Sequence, residues 1–531
     1  MKQMIQKKRM ESILYLMIAY FLASTSNSSF AQPTIQWQKV FGGSNYDQGR
    51  VVRNAFNEGY FLGGATASTN GDVFGNHGGS DFWILKLSES GMVKWKKLFG
   101  GSQNDILGDI QPLPDGGCVA VGWTASNDFD VAGQHGETDG WIIRLNEQGN
   151  LLWQKTIGGS LKDYFTSVAP TPDNGFIISG YSNSNDGDVS WNNGDIDFWV
   201  VKVDSSGGVQ WGRSLGGTHQ ELARSVIVCN DGGYIAAGET FSTDGDITSH
   251  FGSNDFWVVK LTESGEMEWQ QTFGGEGGES VKDLKQTPDG GYLVIGQTGS
   301  YMSGQVSGHS ELGIGDYWVI KIGATGDLQW QRPLGGTATD WGEAIILREN
   351  GTMIISGITD SNNGDVSQPI PGKKVWLIKL DEFGELIWDM TFGGSDADYC
   401  YSLINTPDGG LAFAGFTWST DGDLAGLNHH GLTDFWIVKL APETTGVQEA
   451  EENAGLELFP NPACEYVQVR VPAHAGTGTF TLCNAQGRVA LEQSISPEQI
   501  IDTDQLQPGL YFARFWEEGG RFWSTKLLIG K

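Results

Sequence analysis

The sequence predicts an all-β protein: a seven-bladed β-propeller of four-stranded blades, the last blade closed by the N-terminal strand, followed by a small immunoglobulin-like β-sandwich. Two observations predict it. Three residue series recur seven times in register, and each repeat divides into four strand-like runs separated by turn residues. Glycine supplies 77 of 531 residues without a collagen-like period, as many tight turns between short strands require.

The first series is Trp37, Trp95, Trp153, Trp211, Trp269, Trp330 and Trp388, in steps of 58, 58, 58, 58, 61 and 58. Five residues after each stands a Gly-Gly pair, from Gly42-Gly43 to Gly393-Gly394. The second series is Trp83, Trp141, Trp199, Trp257, Trp318, Trp376 and Trp436, and the third is Gly64, Gly122, Gly180, Gly238, Gly296, Gly357 and Gly415. The two tryptophan series take 14 of the 20 tryptophans, so the repeat and not composition places them.

In the third unit the runs are 163–171, 176–181, 198–203 and 209–215. They are strands a to d, counted outward. Pro172-Asp173-Asn174-Gly175 and Asp204-Ser205-Ser206-Gly207 are tight turns joining a to b and c to d. The longer b–c and d–a loops then share the opposite face. An open β-solenoid is the competing architecture; two tight hairpins per unit favour blades. Residues 34–43 match a d strand and its Gly-Gly loop, while the seventh repeat stops after its c strand. Pairing of 34–41 with 435–440 would complete the seventh blade and remove two open edges.

Residues 1–31 read as a signal peptide: Lys2, Lys7, Lys8 and Arg9, an apolar run from Ile13 to Ala23, and small residues at Ser29 and Ala31. The remaining boundaries are 32–440 for the propeller, 441–455 for an acidic linker and 456–531 for the C-terminal module. No later segment is apolar enough for a transmembrane helix. The formal charge of −31 excludes nucleic acid as a partner and favours cations or basic and neutral partners. Five scattered cysteines form neither a disulfide framework nor a zinc pattern, and read as buried thiols.

Four recurring features bear on chemistry. Asp47, Asp105, Asp163, Glu221, Glu279, Asp340 and Asp398 stand where each d–a loop enters strand a. They suit either an acidic ring at a channel mouth or acceptors for the backbone of their own Gly-Gly loops; recurrence in every blade favours the second. Acidic triplets in the b–c loops, among them Asp186 with Asp188, Asp244 with Asp246 and Asp421 with Asp423, are candidate Ca²⁺ ligands, although the EF-hand pattern is absent. Lys86, Arg144, Lys202, Lys260, Lys321, Lys379 and Lys439 suit ion pairs with neighbouring carboxylates. His77, His135 and His430 precede their c-strand tryptophans by six residues and are weaker metal candidates. Trp191 and Trp418 fall outside the repeating series, in or near b–c loops, and suit stacking on a sugar. No Walker A, G-x-S-x-G or H-E-x-x-H sequence is present, so no catalytic residue is assigned.

After residue 455 come Leu458-Phe459-Pro460-Asn461-Pro462, Asn484-Ala485-Gln486-Gly487-Arg488, Pro508-Gly509-Leu510-Tyr511 and a last strand containing Lys526. Together these resemble the type A C-terminal sorting domain of the type IX secretion system of Bacteroidota. The resemblance implies passage through the outer membrane by that machinery, engaged through 456–531, and attachment at the cell surface or release. The repeats are similar to secreted propeller repeats of the same phylum. The expected function is therefore a secreted, non-catalytic propeller for binding or adhesion, with a glycan or protein ligand. A carbohydrate-active hydrolase or lyase on the same scaffold, and a structural surface component, are the alternatives.

Overall fold

The computed structural model describes residues 32–307, 315–443, 456–471, 477–484, 489–496, 498–517 and 522–530. The signal read at 1–31, most of the linker and residues 485–488 of the central sorting motif lie outside them. The chain forms two compact units, one of which is Pro33–Pro442.

Among the described residues, Pro33–Pro442 holds seven four-stranded antiparallel sheets. In the first, strand a is Asp47–Asn54, b is Tyr60–Thr66, c is Asp81–Leu87 and d is Val93–Phe99. The next five repeat this order. The seventh has Asp398–Asn405, Leu411–Thr417 and Asp434–Leu440 as a to c, and Ile35–Phe41 as its d strand. That strand pairs antiparallel with c, from Ile35 opposite Leu440 to Phe41 opposite Phe435. Each a strand packs beside the next, and the seventh packs beside the first, so the sheets form a propeller-like ring. The junction from seventh to first carries the same parallel bridge as interior junctions: Tyr46 with Thr433, as Thr138 with Lys162 and Ile196 with Gln220.

The c strands are buried on both faces, which their unbroken apolar sequence dictates. Their seven tryptophans are at most 1% exposed. The ring at the second residue of one c strand meets the tryptophan of the next sheet: Phe82 on Trp141, Phe198 on Trp257, Phe256 on Trp318, Tyr317 on Trp376 and Phe435 on Trp83, at 4.6–4.7 Å. The second sheet has Gly140 in place of that ring, and Phe165 from the third sheet fills the gap, stacking on Trp199 at 5.1 Å. The recurring b-strand glycine is explained by Gly180, where a Cβ would lie 1.7 Å from the Tyr164 carbonyl oxygen.

Every a strand carries a β-bulge at its fourth residue. The register shifts around Arg50, Gly108, Thr166, Arg224, Lys282, Glu343 and Tyr401. A bulge leaves one residue out of the ladder and re-aims its side chain. Here it turns six side chains, and the bare backbone of Gly108, toward the axis of the ring.

The C-terminal unit contains two sheets, one of three strands (Glu457–Phe459, Tyr466–Arg470, Glu498–Asp502) and one of four (Val489–Ile495, Gly478–Asn484, Gly509–Glu517, Phe522–Ile529). Val467, Val469, Phe480, Leu482, Phe515 and Leu527 are among the side chains of its core. Asn461 donates to the Lys526 carbonyl at 2.8 Å and accepts from the Leu528 N–H at 2.9 Å, so the opening motif clasps the last strand.

Candidate ligand channel

The bulged residues line a channel of about 480 Å³ through the ring. At this position the repetition fails: the seven residues are Arg, Gly, Thr, Arg, Lys, Glu and Tyr. Positive charge exceeds negative along the wall, against a chain charge of −31. Four cations are compensated locally: Arg53 by Asp109 at 2.7 Å, Arg224 by Glu239 at 2.5 Å, Lys282 by Glu343 at 3.3 Å and Lys285 by Asp283 at 2.7 Å. Asp109 and Asp283 also accept the Val168 and Ile345 N–H groups of the next sheets, and Ser402 accepts that of Val52, so they staple adjacent a strands. Burial raises the Glu343 carboxyl, opposed by Lys282 and Arg224.

The second residue of each a strand and its partner on b form the mouth on the b–c loop side. Aromatic rings gather in two arcs. Trp123 meets Tyr164 edge-on at 5.4 Å, and Tyr164 stacks on Tyr181 at 4.9 Å. Across the ring Tyr399 stacks on Phe416 at 4.8 Å, Trp418 packs against both, and the Lys373 ammonium lies over Trp341 and Tyr399 at 5.2 and 5.6 Å. Trp418 is thus half-buried in one arc, whereas Trp191 is 51% exposed on the third b–c loop. Phe74, Phe129, Phe251 and Tyr301 are exposed on other b–c loops.

The acidic residues read from the sequence lie elsewhere. Asp47, Asp105, Asp163, Glu221, Glu279, Asp340 and Asp398 are fully buried, not presented at a mouth. Each accepts the N–H of the second glycine of its loop at 2.7–2.9 Å, from Gly43 to Gly394. The b–c triplets grip the same loops. Asp186, Asp244 and Asp421 accept the N–H groups of Ser160, Thr218 and Ser395; Asp188, Asp246 and Asp423 accept those of Gly158, Gly216 and Gly393. One oxygen of each of these carboxylates is thus committed to backbone, and among the described residues no three acidic, cysteine or histidine side chains converge on a metal position. His77 and His135 each bond the aspartate that opens their own c strand, Asp81 and Asp139, at 2.9 and 3.0 Å. Lys202, Lys260, Lys321 and Lys439 pair with Asp173, Asp231, Asp289 and Asp408 of the a–b turns.

The aspartates that open the c strands form a second buried acidic series. Asp81, Asp139, Asp197, Asp255 and Asp434 are buried and face the acidic residue of the next a strand across a loop glycine; at Gly100, a Cβ would lie 2.5 Å from Asp81 and 2.6 Å from Asp105. Burial pushes Asp197 and Asp255 up to about 7, and Asp105 up to about 6. In the sixth sheet Lys374 replaces this aspartate, and its ammonium lies 3.5 Å from Asp398, both fully buried.

Residues 457–530 match the secretion system C-terminal sorting domain family. The C-terminal module is a type IX sorting domain, and it follows a propeller-like ring in an exported chain. The chain is also similar to the regulatory protein FlaEY of Caulobacter vibrioides, with 26% identity over 256 residues. That alignment covers 44% of this chain and 26% of FlaEY, so the chain spans about a quarter of its relative. Similar solved structures include the Neurospora crassa Pan2 WD40 domain (10% identity, TM-score 0.42, 73% of this chain and 88% of that one). Sqt1 from Chaetomium thermophilum gives 12%, 0.42, 78% and 100%, and puromycin hydrolase 12%, 0.44, 89% and 59%.

Proposed function

We propose that the chain is a seven-bladed propeller of a Bacteroidota cell surface, delivered by the type IX machinery, that binds a glycan or protein ligand without chemical turnover. The observation that carries this reading is the failure of the repeat at the channel. Scaffold residues recur in every sheet, while the bulged position and the mouth vary around the ring, as a single asymmetric site on a symmetric frame requires. Exposed aromatic side chains on five b–c loops give the same face a contact surface. A glycan and matrix-protein array probed with the full chain tests it: binding that Tyr399→Ala abolishes supports the channel face, and binding that ignores Tyr399 counts against it. Deleting 457–530 should leave the protein inside the outer membrane of its host; surface display of the truncated chain would refute the delivery route.

A carbohydrate-active enzyme is the second reading. Its support is Glu343, a carboxyl raised by burial, in the same channel wall as Tyr401. Release of shortened products from a bound glycan, lost in Glu343→Gln, would favour it.

A further inference from the structure

The channel wall holds one cation without a bonded partner; the nearest opposing charge in the wall is Glu343, already paired with Lys282. Of Arg50, Arg53, Arg224, Lys282 and Lys285, only Arg50 has no ion pair or hydrogen bond among the described residues, and it is exposed to the channel. Arg50 is close enough to Tyr181 and Tyr401 to lower the pKa of both phenols, against the burial that raises them. Neither phenol has a hydrogen-bond partner among the described residues. Arg224 lies over the Tyr181 ring at 5.9 Å. Arg50 and Tyr401 line the same cavity from adjacent sheets, and with Tyr181 of the third sheet they form a donor set that makes no hydrogen bond among the described residues, with the Glu343 carboxylate as its opposing charge.

We infer that this donor set receives the carboxylate or sulfate of an acidic saccharide, whose adjoining sugar rings lie on the aromatic arcs of the mouth; the inference rests on the channel being the binding site proposed above. An unpaired guanidinium with neighbouring O–H donors suits a single oxyanion, which it grips by charge-assisted hydrogen bonds. The remaining wall carries Thr166, Gln111, Asn54 and Asn405 between paired charges. Such a surface matches a polyhydroxylated ligand better than apolar peptide side chains. The Tyr164–Tyr181 and Tyr399–Phe416 stacks supply the apolar faces on which sugar rings rest. The chain's charge of −31 repels long polyanions, so the site takes a short oligosaccharide or a chain end.

Calorimetric titration of the full chain with trigalacturonate, a sulfated chondroitin disaccharide, mannotriose and a tetraglutamate peptide tests this. One or both acidic saccharides should bind, identifying carboxylate or sulfate as the partner group, and mannotriose should bind at least about tenfold more weakly. Arg50→Met should weaken the acidic saccharide about tenfold or more, Tyr401→Phe several-fold, roughly the loss of one hydrogen bond to a charged group, and Glu343→Gln should strengthen it by removing an opposing charge. Arg50 is exposed, so the melting curve of Arg50→Met should match the parent and separate lost binding from lost folding. Equal binding of mannotriose and trigalacturonate, or indifference to Arg50→Met, overturns the anion site. If Tyr399→Ala still abolishes that binding, the channel reading survives and only the anion site falls. Binding of tetraglutamate alone assigns the site to an acidic protein segment and overturns the saccharide. Silence of all four probes, with an array equally silent, overturns both readings.

Discussion

The buried aspartates at the c-strand starts make the ring sensitive to pH in an uncommon direction. Burial first, then the facing Glu221, raises Asp197 to about 7. A carboxyl whose folded pKa exceeds its unfolded value binds more protons when folded. Its stabilisation is therefore complete below about 4, the unfolded value, and is lost as pH rises through about 7. Asp255 and Asp105 act in the same sense. Asp173 and Asp289 act in the opposite sense: hydrogen bonds from Lys202 and Lys321 hold them at about 2, so their contribution disappears as pH falls below about 4. Melting temperature should thus be highest in mildly acidic buffer and decline toward pH ~8. Asp197→Asn keeps the acceptor for the Asn193 N–H, bonded at 2.6 Å, and removes the charge. It should stabilise the chain by about 1–3 kcal/mol at pH ~8 and change little at pH ~5. A destabilised Asp197→Asn chain at the higher pH would show that Asp197 is ionised and paired in the fold. Lys374 makes the same point within the sequence, since the repeat that lacks the aspartate supplies a permanent cation beside Asp398.

Among the elements, the c strand sets stability and the bulge of strand a sets the site. Trp199 is buried against Phe165 of its own sheet in a cluster with Val119, Val121 and Ile142 of the second, so Trp199→Ala should cost about 3–5 kcal/mol, read as a lower denaturant midpoint. Ligand affinity, measured where the variant is still folded, should stay unchanged, because the indole does not reach the channel; weakened affinity there would assign it a role in the site. This division decides what was legible in the sequence. Tryptophan and glycine series repeat because each sheet needs the same side chain in the same contact, so spacing alone gave the strands, the turns and the closing d strand. The channel residues vary among the repeats, so a search for recurrence passes over Arg50, Glu343 and Tyr401. Their position was nonetheless present in the sequence, three residues after each conserved-spacing carboxylate, and marks where seven aligned units disagree. The b–c triplets carry two readings for a chemical reason: the oxygens that accept backbone N–H groups in a turn are of the same kind as those that hold a cation.

At the scale of the whole ring, closure depends on a strand taken from the far end of the propeller sequence. Ile35–Phe41 supplies the outer edge of the seventh sheet, and Ala441 donates back to the Thr34 carbonyl at 2.8 Å. Gln38 accepts from the Trp436 indole at 3.0 Å, the contact that Gln154 makes with Trp141 and Gln270 with Trp257. The junction is thus equivalent to the others in bonding, but its loss exposes the c strand Asp434–Leu440 as an apolar edge, a template for pairing with another chain. Deleting 33–43 should therefore do more than remove one strand's stability. The truncated chain should form oligomers in light scattering at concentrations where the parent is monodisperse, and its unfolding should lose cooperativity. A synthetic peptide of residues 33–43 added in excess should restore the parent's scattering and melting profile, because the vacated edge offers it the register from Ile35 opposite Leu440 to Phe41 opposite Phe435. Scrambling that peptide should abolish the rescue. A truncated chain that stays monodisperse and melts like the parent would mean that the ring closes through its a strands alone, by contacts such as Ser402 with Val52, and that the shared sheet is dispensable.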